Sequence, residues 1–183
     1  LLLGKILSVN DLGIYAVAFF LAGFIVLALQ NLSNTVLFPI YKHLSELSPD
    51  EMRRKMFRVR GTLMVATLPP VWVMVVWGRE IVALLYDDRY LEAGWMLQIL
   101  AVSTANSVVS VTTERVLMAN GDTFRHMVLQ AMRLASFIGG MAVGGTFWGV
   151  QGLLLGIVVS RVFEYGATIM LTRKYGVWLP KLD

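Results

Sequence analysis

Apolar and polar positions follow one another here in long blocks rather than in short alternation. Leu12 to Phe38 runs for 27 residues without a charge, Gly61 to Gly78 for 18 and Ala93 to Thr113 for 21. Met127 to Trp148 holds one charged residue, Arg133, and Val150 to Leu171 holds two, Arg161 and Glu164. A helix needs about 20 mostly apolar residues to cross roughly 30 Å of hydrocarbon. The pattern therefore predicts an all-α, polytopic transmembrane bundle with five full spans, at about 12–38, 61–84, 93–118, 127–148 and 150–172. Leu1 to Leu7 reads as the end of a further span, and with no initiator methionine, residues 1–183 read as a C-terminal transmembrane lobe.

Local signals refine these elements. Asn10 and Asp11 stand where they can cap the first span. Ser48, Pro49 and Glu51 form a helix start, with a serine cap, a proline in the first turn and a capping-box carboxylate. The segment that follows, about 49–60, places Met52, Met56 and Val59 on one side of a basic helix, which suits a membrane surface or a solvated connector. Pro69 and Pro70 remove two backbone donors inside the second span and are expected to bend it. Gly140-x-x-x-Gly144 and Gly152-x-x-x-Gly156 have the spacing that lets membrane helices approach closely. The run GGMAVGG has no preceding strand and no Walker lysine, so it is packing rather than a phosphate loop. Trp72, Trp77, Trp95, Trp148 and Trp178 fall mostly near span ends, as interfacial anchors do.

Composition agrees with the pattern. Charged residues make up 15% of the chain, against about 25% in an ordinary soluble domain, and the mean hydropathy is +0.67. An isoelectric point near 9.6 would suit nucleic acid if the basic residues formed one patch, but they lie in loops beside apolar spans. The absence of cysteine removes disulfide and zinc-thiolate chemistry.

Loop charge then sets orientation. Lys42, Arg53, Arg54, Lys55, Arg58 and Arg60 lie between the first two spans, and the next loop is acidic, with Asp87, Asp88 and Glu92 against Arg89. The third loop carries Arg125 and His126, the fourth is uncharged, and the tail is basic. Basic loops face the cytoplasm, which predicts a cytoplasmic C-terminus and an external acidic loop.

Catalytic signatures are weak. His43 and His126 have no metal-ligand partners at suitable spacing, and no nucleophile elbow occurs. The expectation is a protein that is not an enzyme and that needs no metal. What remains is polarity within the spans. Ser103, Asn106, Ser107 and Ser110 form a stripe in the third span, which either bonds neighbouring helices or faces water. Glu114, Arg115 and Arg133 lie within a few turns of the cytoplasmic face, near enough to snorkel. Arg161 is the twelfth residue of a 22-residue span, where a charge costs at least about 2.5–3.5 kcal/mol. Glu164, one turn on, can pair with it. The pair is either a self-neutralising structural device or the wall of a wet cavity.

The stretches LSVNDLGIYAVAFFLAG, VLFPIYKHLSEL, IVALLYDDRYLEAGWMLQILAV and ERVLMANGDTFRHMVL, in this order and spacing, extend over essentially the whole chain. Together they resemble the C-terminal half of the polysaccharide transporter family, the O-antigen and exopolysaccharide flippases of the multidrug/oligosaccharidyl-lipid/polysaccharide exporter superfamily. One departure is the outer loop, which reads Tyr86-Asp87-Asp88-Arg89-Tyr90. The resemblance implies a bacterial inner-membrane flippase that moves a polyprenyl-diphosphate-linked oligosaccharide outward by alternating access, coupled to protons or sodium and with no other cofactor. It implies as partners the N-terminal lobe of the same chain, the bilayer, and a polysaccharide polymerase and glycosyltransferases. Arg161, Glu164, Arg133, Arg115, Asn106 and Ser103 become the candidate cavity residues, with Glu164 the candidate for ion coupling. A drug or peptidoglycan-precursor exporter, a membrane-bound glycosyl- or acyltransferase, and a scaffold without transport are the competing readings.

Overall fold

The computed structural model describes the backbone of residues 8–32, 49–119 and 121–175. Among these there are four α-helices and no strand: α1 Val9–Leu32, α2 Pro49–Leu85, α3 Ala93–Ala119 and α4 Thr123–Thr172. Short 3-10 turns follow α2 at Asp88–Tyr90 and α4 at Arg173–Tyr175. The fold is all-α, as expected. Three helices contain stretches long and apolar enough to cross a membrane, Val9–Ala28, Phe57–Leu85 and Thr123–Thr172. That is fewer than the five expected spans. The expected span 93–118 coincides with α3, which is not among the three. The expected spans 127–148 and 150–172 both lie within the 50-residue α4.

α4 is nevertheless not one straight rod. Trp148 and Gly149 leave helical geometry, and Gly149 takes φ 57 with ψ −138, a region open to glycine alone. The two halves, α4a before this turn and α4b after it, fold back against each other. A Cβ built on Gly144 would overlap the carbonyl of Gly152, and one built on Gly140 would overlap that of Gly156. The two small-residue spacings thus face one another across one antiparallel contact. Lipid tails are as apolar as leucine, so helices in a bilayer associate through such close packing rather than through water exclusion.

The expected surface helix at 49–60 and the span at 61–84 form one continuous helix, α2. Its Ser48 cap falls outside the described residues, as do Pro39, His43, Lys42 and Trp178. Pro69 and Pro70 lie inside α2, but the break in helical dihedrals is at Trp77, with φ −110 and ψ 25. Each proline removes a donor only toward the preceding turn, so this later break has another origin. There Gly78 meets Gly94 and Gln98 of α3 at a distance no side chain would allow, and the Gln98 amide donates to the Val76 carbonyl at 3.2 Å. The polar side chain thus accompanies the interruption. The cap of α1 is Ser8 rather than Asn10 or Asp11: its hydroxyl accepts from the Asp11 amide at 3.2 Å and donates to the Asp11 carboxylate at 2.7 Å.

The α3–α4 connection is similarly specified. Gly121, at φ 69, allows its own amide to reach Met118 O and that of Asp122 to reach Leu117 O, the paired bonds that close a helix C-terminus. Asp122 then caps α4 by accepting from the Arg125 amide at 3.2 Å.

α3 is the centre of the bundle. It packs against α1, α2 and α4, whereas α1 and α4 share no extended interface. Its buried face supplies Ala93, Met96, Leu97 and Leu100 to the main apolar cluster, which also takes Ala18 and Ala22 from α1 and Leu153, Leu154 and Ile157 from α4. Outward-facing Phe20, Phe24, Trp72, Val76, Phe147 and Val159 are exposed, as expected of surfaces that meet lipid. If the glycine contact holds α4 folded, Gly144→Ala should destabilise the protein by about 1–3 kcal/mol through overpacking against backbone. Gly139→Ala, where nothing lies within reach of the new methyl, should leave the unfolding midpoint unchanged in a detergent-based thermal assay.

Candidate functional site

Four charged side chains from three helical segments meet where α3 and the two halves of α4 lie together. Arg133 of α4a donates through Nη2 to Glu114 of α3 at 2.6 Å and to Glu164 of α4b at 2.7 Å. Arg161, one turn before Glu164, donates to its other oxygen at 2.8 Å. The local pairing expected between Arg161 and Glu164 is therefore present, but it is one arm of a larger network. Two arginines and two glutamates leave this set formally neutral. Gln130 extends it by accepting from Arg133 at 3.1 Å, and its amide lies 3.4 Å from His126 Nε2.

Burial divides the network. The side chains of Glu114 and Glu164 are only 6% and 3% exposed, while Arg133 and Arg161 retain 21% and 27%. Glu114 therefore turns inward instead of snorkelling. Both oxygens of Glu164 carry a charged donor, which is what an ionised carboxylate requires away from water. Arg161 faces outward from the same network. It lines a cleft of about 230 Å³ between α1 and α4, whose floor is α3.

That cleft has three different sides. Phe19, Ala22, Gly23, Val26 and Leu27 of α1 make an apolar wall with Gln30 at one end. Leu100, Ser103, Thr104 and Ser107 of α3 make the floor, and Phe137, Ile157 and Arg161 of α4 the opposite wall. Arg161 lies 5.8 Å from the Phe137 ring centre, and both residues also line an adjoining hollow with Gln130 and Arg133. The serine hydroxyls are already committed as donors within α3, Ser103 to Leu100 O and Ser107 to Ser103 O. The single Thr104 proton is shared between Leu100 O at 3.1 Å and Ala22 O of α1 at 3.3 Å. A hydroxyl has one proton and two lone pairs, so these groups are left as acceptors toward the cleft. The site offers acceptors and one cation.

Of the six residues proposed from sequence, Arg161 and Ser103 line the cleft. Arg133 lines the adjoining hollow, and Glu164 sits behind Arg161 without lining either space. Asn106 is directed to backbone: its amide donates to the Arg161 carbonyl, joining α3 to α4b beside the arginine. Arg115 lies in α3, and its side chain falls outside the described residues. Glu114, Gln130, Phe137, Thr104 and Gln30 join these, and the sequence reading had not chosen them. Opposite charges at matching levels in adjacent antiparallel helices would have pointed to the Glu114–Arg133 pair.

A fully buried arginine lies apart from this set, in the first part of α2. Arg60 is fully enclosed and donates to Thr113 of α3 at 2.9 Å, adjacent in sequence to Glu114. No group of three or more metal-ligating side chains occurs among the described residues.

A helical bundle with three membrane-length apolar segments, a buried charge network and an amphiphilic cleft has the character of an integral membrane protein. Residues 1–95, just over half of the chain, match the family described as polysaccharide biosynthesis protein, and the chain belongs to that family. This agrees with the resemblance carried by its motifs. No curated protein and no solved structure matches the chain.

The network makes the arginines unequal. Arg133→Ala would leave two enclosed carboxylates without their shared partner and should destabilise the protein by about 3–5 kcal/mol. Arg161→Ala leaves Glu164 paired with Arg133 and should cost clearly less. Chemical denaturation of the two variants in the same detergent compares them directly.

Proposed function

We propose that the chain is the C-terminal lobe of a flippase that carries a polyprenyl-diphosphate-linked oligosaccharide from the cytoplasmic to the outer leaflet. The observation that carries this reading is Arg161, a cation opening into a cleft with a hydroxyl floor in a member of a polysaccharide biosynthesis family. A diphosphate is anionic and a glycan is rich in hydroxyl donors, so one meets the guanidinium and the other the free lone pairs of Ser103, Thr104 and Ser107. The isoprenoid tail stays in the bilayer, against apolar surfaces of the kind α1 presents.

In this reading α3 and the two halves of α4 each cross the membrane, giving five crossings with α1 and α2. The acidic connection after α2 is external, and the C-terminus is cytoplasmic in a bacterial inner membrane. An N-terminal lobe supplies the rest of the cavity, and alternating access moves the headgroup across. The protein then acts on no covalent bond. It works beside glycosyltransferases and a polysaccharide polymerase, which make and consume its cargo, and draws on a proton or sodium gradient.

In cells that depend on the full-length protein, Arg161→Ala should reduce surface polysaccharide at least tenfold while the amount inserted in the membrane stays normal. Arg161→Lys should retain part of the export, since a lysine keeps the charge but loses the planar fork. Full export by Arg161→Ala would overturn the assignment of this cleft as the headgroup site.

A further inference from the structure

A further hollow lies between the end of α2 and the start of α3, apart from the Arg161 cleft. It measures about 430 Å³ and is lined by Arg79, Glu80 and Ala83 of α2, Leu91 and Glu92 of the connection, and Trp95 of α3. That volume is within the range of about 300–1,000 Å³ of small-molecule sites. None of the six residues belongs to the charge network or lines the cleft.

The backbone brings these walls close together. The break at Trp77 comes just before Arg79, and a Cβ built on Gly94 would lie 2.7 Å from Arg79 Cα. Gly94 thus lets the start of α3 abut the last part of α2 directly. Its amide donates to Leu91 O at 3.0 Å, which ties the connection to the same point. Trp95 follows at once, packed partly against the main apolar cluster, and its indole N–H donates to Glu92 at 2.7 Å. An indole has a single donor, so this bond fixes the ring and leaves its apolar surface for the hollow. A carboxylate accepts at both oxygens, so Glu92 keeps acceptor capacity beyond this bond.

A pyranose presents two kinds of surface, a face of C–H groups and a rim of hydroxyls that donate and accept. An aromatic ring with a fixed orientation meets the first. Carboxylates take hydroxyl protons and a guanidinium donates to sugar oxygens, both as charge-assisted bonds. Trp95, the pair Glu80 and Glu92, and Arg79 supply these parts around one space. A purely interfacial indole would turn its N–H to headgroups or water, whereas here it is spent on Glu92. The whole hollow also falls within residues 1–95, the part that matches the polysaccharide biosynthesis family.

We propose that this hollow is a saccharide subsite that takes one pyranose unit bearing no acidic group. Two carboxylates against one guanidinium leave it net negative, so a hexuronic acid meets like charge and a neutral sugar does not. The inference rests on the family match and on this geometry, and it does not need the headgroup reading of Arg161. In the orientation set by loop charge the subsite is external, on the side where a glycan arrives.

The test is saturation-transfer NMR on the full-length protein in lipid nanodiscs. The probes are the methyl glycosides of glucose, galactose, N-acetylglucosamine, rhamnose and glucuronic acid. At least one neutral glycoside should give a signal that Trp95→Leu abolishes. Trp72→Leu, which removes an exposed indole elsewhere on α2, should leave that signal intact. Methyl glucuronide should bind at least about tenfold more weakly, a difference of about 1.4 kcal/mol. Glu92→Gln should narrow this gap while its amide oxygen still accepts from the indole, and it carries the test should Trp95→Leu fail to fold. No signal from any neutral glycoside overturns the subsite. A signal unchanged in both Trp95→Leu and Glu92→Gln places the sugar elsewhere and overturns it too. A glucuronide that binds as well as the neutral glycosides overturns the choice of ligand. Export by Arg161→Ala is a separate readout, so the headgroup site stands or falls independently of these results.

Discussion

A carboxylate removed from water must have its charge met by donors, and Glu164 is the point at which the bundle satisfies that demand. Its side chain is almost wholly enclosed, and each of its oxygens faces an arginine from a different half of α4. For Arg133 to reach both Glu164 and Glu114, α3, α4a and α4b must lie side by side at one level. Hydrocarbon supplies no hydrophobic force to hold them so. The glycine contact within α4 and the bond from Asn106 to the Arg161 carbonyl hold the same elements from the other directions. The charge network and the close packing therefore specify one arrangement between them.

This arrangement separates two residues that occupy neighbouring turns of one helix. Glu164 points into the protein, and Arg161 points to the α1–α4 cleft. Two side chains of α4a make the difference: Arg133 pairs with the buried acid, and Phe137 stands beside the outward base. The cleft lies over α3, which packs against both α1 and α4 while those two share no extended interface. Its chemistry is thus a product of bundle geometry as much as of residue type.

Much of the fold could be read from the chain because long apolar blocks leave few alternatives. The helical class, the Arg161–Glu164 spacing and the paired glycine motifs all follow from positions close together in sequence. What the chain concealed depends on contacts between distant residues. The break at Trp77 follows the approach of Gly78 to α3, whereas the prolines eight and seven residues earlier drew attention locally. Ser8 was overlooked because Asn10 and Asp11 are equally good caps by type. Glu114 looked able to reach water because depth along a helix says nothing about the face it occupies. For Arg133, a partner 19 residues away and another 31 away cannot be inferred from a periodicity of three or four.

The glycine contact inside α4 has a mechanical meaning. Backbone touches backbone at two successive levels, Gly140 with Gly156 and Gly144 with Gly152, so neither strand of the hairpin can slide or roll without forcing carbonyls together. α4 is therefore a plate, with Arg133 on one leaf and Arg161 on the other. The opposite wall of the cleft is α1, the helix with the thinner attachment to the described bundle. The charged side of the cleft is thus its rigid side, and the apolar side is the less firmly held one.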